Sequence, residues 1–216
     1  MEKIKMGMIG GATGAFFGDA HRRAASISND FEVIGGIFSS DYEKSKEFAV
    51  NEGFDLKRVY KNIDTFIKGE LSLPVPERIK VVAIVTPNAL HYPHAKKLLL
   101  NGFHLICEKP MTINVKEAVD LQNLVIKNKL TFALAHTYTG YPMVRQMREL
   151  IAKGIPGKIQ RIDAQYYQGW VNSVIYSSDN RFKKLWRFEP ELAGKSLCMG
   201  DIGVHAFIMI EYTTGL

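Results

Sequence analysis

The chain has 216 residues, 46% of them hydrophobic and 23% charged, an ordinary globular balance with enough apolar material for a sizeable core. Its 28 Lys and Arg against 22 Asp and Glu leave a formal charge of +6, which favours a small anionic ligand. The basic residues are scattered and form no long block, so nucleic acid is not an expected partner. Cys107 and Cys198 follow no metal or redox spacing and read as packed thiols of a reducing compartment. Met1-Glu2-Lys3-Ile4-Lys5 opens without a signal-peptide core and no apolar run approaches membrane-spanning length, so a cytoplasmic protein without a membrane partner is expected.

Lys3 to Ile9 reads as a buried strand that runs into Gly10-Gly11-Ala12-Thr13-Gly14-Ala15-Phe16-Phe17-Gly18, ahead of a helical pattern from about Gly18 to Ser28. Glycines let a backbone approach phosphate, and the N-terminus of the following helix supplies N–H donors. Gly10, Gly11, Ala12, Gly14, Ala15 and Phe16 are therefore candidates to hold the pyrophosphate end of a dinucleotide. Ala12 stands where the strict pattern has its second glycine, and an ordinary strand-to-helix connection is the alternative.

A second strand, Phe31 to Phe38, closes a βαβ beginning and ends at Ser39-Ser40-Asp41. NAD-preferring folds usually place an acid here to bind the ribose diol. Ser39 and Ser40 suit a 2′-phosphate instead, but no arginine follows directly, only Lys44 and Lys46 are near, and Asp41 reads equally as a helix N-cap. The choice between NAD and NADP stays open. Helices follow at Asp41 to Glu52 and Ile63 to Lys68, then a buried strand, Lys80 to Val85, ending at Thr86-Pro87-Asn88. The Asn88 amide can bond a ribose or carboxamide, with Thr86, Pro87 and His91 beside it; a helix-capping loop is the alternative. His91 and His94 lack a third ligand nearby, and no metal is expected.

Tyr92 to Asn101 reads as a helix, Phe103 to Cys107 as a strand, Val115 to Asn128 as a helix and Leu130 to Ala135 as a strand. This alternation argues for an α/β fold with a doubly wound parallel sheet over residues 1–135, which binds ligands at the carboxyl ends of its strands. The glycine turn, Thr86-Pro87-Asn88 and Glu108-Lys109-Pro110 all fall at such ends. From His136 the rhythm changes: a helix from about Pro142 to Lys153, a Gly/Pro turn, and one alternating strand, Lys158 to Tyr167. A lone strand cannot cover its apolar face or edges, so residues 136–216 are expected to begin an incomplete α+β domain. Gln165, Tyr167, Gln168, Trp170 and Arg181 are candidate pocket residues in the loop-rich stretch that follows.

Asp201 and His205 are four apart and on a helix would share one face. A structural salt link or a metal half-site would use the same spacing. Lys109 carries a mobile proton and His205 titrates near neutrality, so with Asp201 they suit proton exchange with a substrate hydroxyl.

These motifs together resemble the Gfo/Idh/MocA oxidoreductases (glucose-fructose oxidoreductase and inositol dehydrogenase-like). The match runs from Met8-Ile9-Gly10-Gly11 through His21-Arg22, Val85-Thr86-Pro87-Asn88 with His91, Glu108-Lys109-Pro110, Trp186-Arg187 and Ala193-Gly194 to Gly200-Asp201-Ile202-Gly203-Val204-His205. The resemblance implies a Rossmann domain followed by a domain on a mostly antiparallel sheet that shapes a sugar site and often mediates homo-oligomers. It implies hydride transfer between NAD or NADP and a secondary alcohol of a sugar, inositol or related polyol. In that scheme Lys109 contacts substrate and nicotinamide beside Glu108, His205 is the general acid/base, and Asp201 orients substrate or histidine. Trp186 and Arg187 approach the nicotinamide in that scheme; apart from the resemblance, Gln168 and Trp170 of the loop-rich stretch are candidate substrate contacts. Ala12, the missing acid after the second strand, and Lys195 after Gly194 depart from the pattern. Family members are longer, so the chain is expected not to be a self-sufficient enzyme. A dinucleotide-binding regulatory or scaffold protein without turnover is the rival reading.

Overall fold

A computed structural model describes residues 2–176 and 185–216, and the chain divides into two compact units, Met1–Leu134 and Ala135–Leu216. Arg181 lies outside the described residues.

The first unit is a five-stranded sheet of β1 (Ile4–Gly10), β2 (Phe31–Ile37), β3 (Val81–Val85), β4 (His104–Glu108) and β5 (Phe132–Ala135), in the order β2-β1-β3-β4-β5. Pairing is parallel from β2 through β1 and β3 to β4. The chain leaves β1 toward β2 on one side and returns to β3 on the other, which makes the β1/β3 boundary the point where the winding reverses. Gly10 pairs with Val85 there, at the carboxyl end of both strands.

Alternation along the strands divides the core. Met6, Met8 and Ala83 face one side, packing with Ala25 of α1 (Phe16–Ser28) and with Phe48 and Ala49 of α2 (Tyr42–Asn51). Ile9, Val82 and Ile84 face the other, against Phe66 of α3 (Ile63–Ser72), Leu98 and Leu99 of α4 (His91–Leu100) and Leu121 of α5 (Val115–Asn128). Each large apolar side chain so buried contributes about 1.5–3 kcal/mol of transfer free energy. The helix starts are written locally. Asp41 accepts from the N–H groups of Glu43 (3.0 Å) and Lys44 (3.3 Å), Asn62 and Thr65 form a reciprocal capping box, and Asn114 accepts from Glu117 N at 3.0 Å.

One buried charge ties the first unit together. Glu70, fully buried on α3, accepts from Arg58 Nη2 at 2.6 Å, from the Tyr60 hydroxyl at 2.6 Å and from Ile79 N at 2.9 Å. Burial, then the bond to Glu70, pushes the Tyr60 phenol well above its ordinary value, so it remains a donor.

The second unit contains α6 (Pro142–Ala152), α7 (Trp170–Ile175), α8 (Pro190–Ala193), a π-helical turn at Met199–Gly203 and α9 (Val204–Thr214). Helices α6 and α9 pack on each other, with the Arg148 guanidinium 4.5 Å from the Tyr212 ring centroid. The expected strand Lys158 to Tyr167 is not formed: the segment has no ladder partner among the described residues and carries no regular structure. Its alternation is real, but a strand exists only through hydrogen bonds to another.

Candidate cofactor and proton-transfer sites

The glycine turn in the first unit is shaped by close backbone approach. Gly10 and Gly11 hold φ of 87° and 88°, a left-handed region in which any other residue is strained. A Cβ on Gly10 would stand 2.8 Å from Val85 O, and one on Gly11 would stand 2.9 Å from Gly18 Cα. Ala12 N donates to Phe38 O at 3.1 Å, joining the turn to the end of β2, and Arg22 Nη1 donates to Gly11 O at 2.8 Å. Ala15, the N-cap of α1, makes no side-chain cap bond. A side chain that would compete with an anion for the first-turn N–H groups is thus lacking, and the cradle fits a pyrophosphate. Phe16 is 78% exposed at the same end, and Gly14 has open space where a side chain would be.

At the end of β2, Ser39 Oγ accepts from Asp41 N at 3.2 Å. The Asp41 carboxylate is engaged as the α2 cap, which is the alternative reading of this residue; Oδ1 takes both bonds. Ser39 and Ser40 follow the carboxyl end of β2, and this arrangement does not distinguish NAD from NADP.

The β3 and β4 ends are braced from behind. His91 is fully buried, its Nδ1 2.7 Å from Pro110 O and its Nε2 2.9 Å from Thr86 O. Both ring nitrogens of His91, a cofactor candidate in the sequence, are directed at backbone carbonyls, so the ring supports the two loops from inside. Burial lowers its proton affinity, opposed by the two carbonyls and by Glu108. Asn88, Glu108 and Lys109 are also buried, at 6%, 7% and 8% exposure, and the Lys109-Pro110 peptide is cis. Glu108 Oε1 accepts from His21 Nε2 of α1 at 2.8 Å. No local pattern in the sequence signals this bond, which joins residues 87 positions apart. Among the described residues no three His, Cys, Asp or Glu gather as a metal set.

In the second unit His205 is buried, at 8% exposure, near the start of α9. The Tyr138 ring lies edge-on to it at 4.7 Å and the Tyr166 ring at 6.1 Å, and the two phenol hydroxyls are hydrogen-bonded to each other. That bond, followed by burial, pushes the Tyr138 phenol up to about 12. Asp201 lies in the π-helical turn, not on a regular α-helix as its spacing to His205 suggested. Arg187 Nε is 3.8 Å from Asp201 Oδ1 and its guanidinium lies 4.7 Å from the Trp186 ring centroid. His205 lines an open cavity of about 1100 Å³ with Tyr138, Tyr166, Met147, Leu150 and Met209, a mainly apolar lining. Gln168 is exposed and Trp170 packs on Phe188 with centroids 5.6 Å apart; neither lines that cavity.

Comparison with known proteins agrees with these features. Residues 4–136 match the model of the Gfo/Idh/MocA oxidoreductase family, NAD-binding Rossmann fold, and residues 144–216 match the Gfo/Idh/MocA C-terminal domain. The uncharacterized oxidoreductase YfiI of Bacillus subtilis (strain 168) is 33% identical over 209 residues, covering 96% of this chain and 52% of that protein. Levoglucosan dehydrogenase of Pseudarthrobacter phenanthrenivorans is 29% identical over 222 residues, covering 100% of this chain and 52% of its own length. The crystal structure of an inositol dehydrogenase homolog complexed with NAD+ from Azotobacter vinelandii superposes with a TM-score of 0.92 at 30% identity, over 99% of this chain and 54% of that one. The chain spans about half the length of these relatives. It belongs to the Gfo/Idh/MocA family of oxidoreductases, with an NAD-binding Rossmann domain in its first part.

Proposed function

We propose that the chain carries the cofactor-binding and proton-transfer residues of an NAD(P)-dependent dehydrogenase acting on a secondary alcohol of a sugar, inositol or related polyol. The observation that carries this reading is the buried Lys109 at the carboxyl end of β4, on the same sheet edge as the Gly10-Gly11 cradle at the β1/β3 boundary. Relatives that act on levoglucosan and resemble inositol dehydrogenase support the substrate class.

When bound, the nicotinamide supplies hydride chemistry, and the protein supplies position and electrostatics. Gly10, Gly11 and the first turn of α1 hold the pyrophosphate, and Ser39 and Ser40 meet the adenosine ribose. Thr86, Pro87 and Asn88 line the path toward the nicotinamide. Lys109 bonds the reacting hydroxyl and fixes its carbon, a gain of orientation that well-placed groups make large. In the second unit His205 is assigned proton transfer and Asp201 its orientation or that of the substrate, with Trp186 and Arg187 near the nicotinamide end. Residues 1–135 and 136–216 are the two domains of this reading, and a cytoplasmic homo-oligomer completes it.

The test is a titration with NADH and NADPH, read by fluorescence, beside a turnover assay over a panel of sugars and polyols. Both are run on this chain and on any longer protein that contains it. Cofactor binding with turnover of at least one polyol is expected. Binding with no turnover in either protein would favour the scaffold reading.

A further inference from the structure

Lys109 is flanked by two histidine contacts that come from different helices. On its N-terminal side Glu108 is held by His21 of α1, Nε2 to Oε1 at 2.8 Å, with 14% and 9% side-chain exposure. On its C-terminal side the Pro110 carbonyl is held by His91 of α4 at 2.7 Å, and the same ring reaches the Thr86 carbonyl at 2.9 Å. One helix begins at the glycine turn and the other follows Thr86-Pro87-Asn88. Lys109 is thereby tied, through its two neighbours, to α1 on one side and to α4 and the Thr86 carbonyl on the other.

We propose that His21 and His91 are positioning residues for Lys109. The proposal rests on the reading of Lys109 given above. A carboxylate accepts only, so His21 donates to Glu108 through Nε2 and keeps that carboxylate from turning toward the Lys109 ammonium. The Pro110 and Thr86 carbonyls also only accept. A neutral imidazole has one N–H and can satisfy one of them, while the ring's bulk sets the spacing of the other. No titratable residue lies on β3 or in Thr86-Pro87-Asn88. The charged groups of α3 and α5 that face α4, Asp64 and Asp120, are taken by Lys97 and by Lys96 with Tyr92. Glu108, Lys109 and the neighbouring His94 are the ionisable groups that act with His91. Misplacing a reacting group by about 1 Å from a remote substitution is enough to cost on the order of a hundredfold in rate.

The experiment uses His21→Leu, which removes the donor, His21→Gln, which restores one, and His91→Phe, which keeps a ring and removes both polar contacts. Three readouts are followed: kcat against KM for cofactor, the titration of Lys109 by 13C-lysine NMR, and thermal melting. In His21→Leu and His91→Phe, kcat should fall about tenfold or more with cofactor KM within about threefold, and the Lys109 midpoint should move by about half a pH unit or more. His21→Gln should recover kcat to within about threefold of the parent. Should His91→Phe fail to fold, the His21 pair carries the test, since that side chain is partly open to solvent. A His21→Leu protein that melts earlier but keeps its kcat and its Lys109 titration would reduce the histidines to ordinary structural bonds and overturn the proposal. Failure of the underlying reading looks different: Lys109→Met would then be fully active, while the Lys109 resonance would still report whether the tethers act on it.

Discussion

Gly11 and Gly18 meet backbone to backbone: a Cβ on Gly11 would stand 2.9 Å from Gly18 Cα, which brings the first turn of α1 against the glycine turn. In a helix, alanine is normally better than glycine by about 1 kcal/mol. At Gly18 the sign should reverse, because the added methyl would meet the Gly11 backbone, which cannot rotate away as a flexible side chain would. Gly18→Ala is expected to lose about 1–3 kcal/mol of stability and to weaken NADH binding. Urea unfolding and fluorescence titration measure the two, and a stabilised protein with unchanged affinity would show that the contact is not as tight as drawn.

Lys109→Met keeps length and apolar bulk and removes the ammonium. Turnover should fall by about two orders of magnitude or more while NADH still binds. Steady-state kinetics and a binding titration on the same preparation separate the two effects, and near-parental turnover would remove Lys109 from the mechanism.

His205→Gln should cost about a hundredfold or more in kcat, as expected for loss of an acid/base group. Activity of the parent should survive EDTA. Inactivation by the chelator with recovery on adding zinc would reassign the Asp201 and His205 region to metal binding.

Stability should depend on pH through His94, whose pKa is lowered to about 4 by burial, with repulsion from His91 and Lys97 adding to the effect. The unfolded chain takes up the proton near the ordinary imidazole value of about 6.5, so between these two values the unfolded state binds more protons than the folded one. The contribution is therefore fully present above about pH 6.5 and is lost as pH falls toward 4. Urea midpoints from pH 4.5 to 7.5 should rise with pH, and His94→Leu should flatten that rise. A slope unchanged by the substitution would place its origin elsewhere.

What could be read in the sequence was local. Helix α5 runs from Val115 to Asn128 as its pattern indicates, because its signals sit at its ends: Asn114 caps it, and Lys129 leaves it in the left-handed conformation at φ 52°. The glycine turn and the three strand-end motifs were legible for the same reason. The contact of His21 with Glu108 spans 87 positions and has no local signature. Lys158 to Tyr167 shows the converse, a strand-like alternation whose fate depended on a partner that the pattern itself cannot supply. Asp201 and His205 have the spacing of an α-helix, but the turn at Met199–Gly203 is π-helical, a closure that residue spacing alone does not signal; within it the Met199 side chain packs where a Cβ on Gly203 would stand.

The buried carboxylate of Glu70 has a consequence for exchange with solvent deuterium. Ile79 lies outside the sheet, between a short helical turn and β3, where a backbone amide would ordinarily exchange within the time needed to mix a sample. Its N–H donates to Glu70 Oε2 at 2.9 Å, and the residue is 2% exposed. Releasing that hydrogen requires opening the link that also holds Arg58 and Tyr60, so Ile79 should exchange as slowly as the central strand amides of Val82 and Ala83. Replacing Glu70 by Gln should make this amide exchange faster while leaving those two strand amides closer to their original rates.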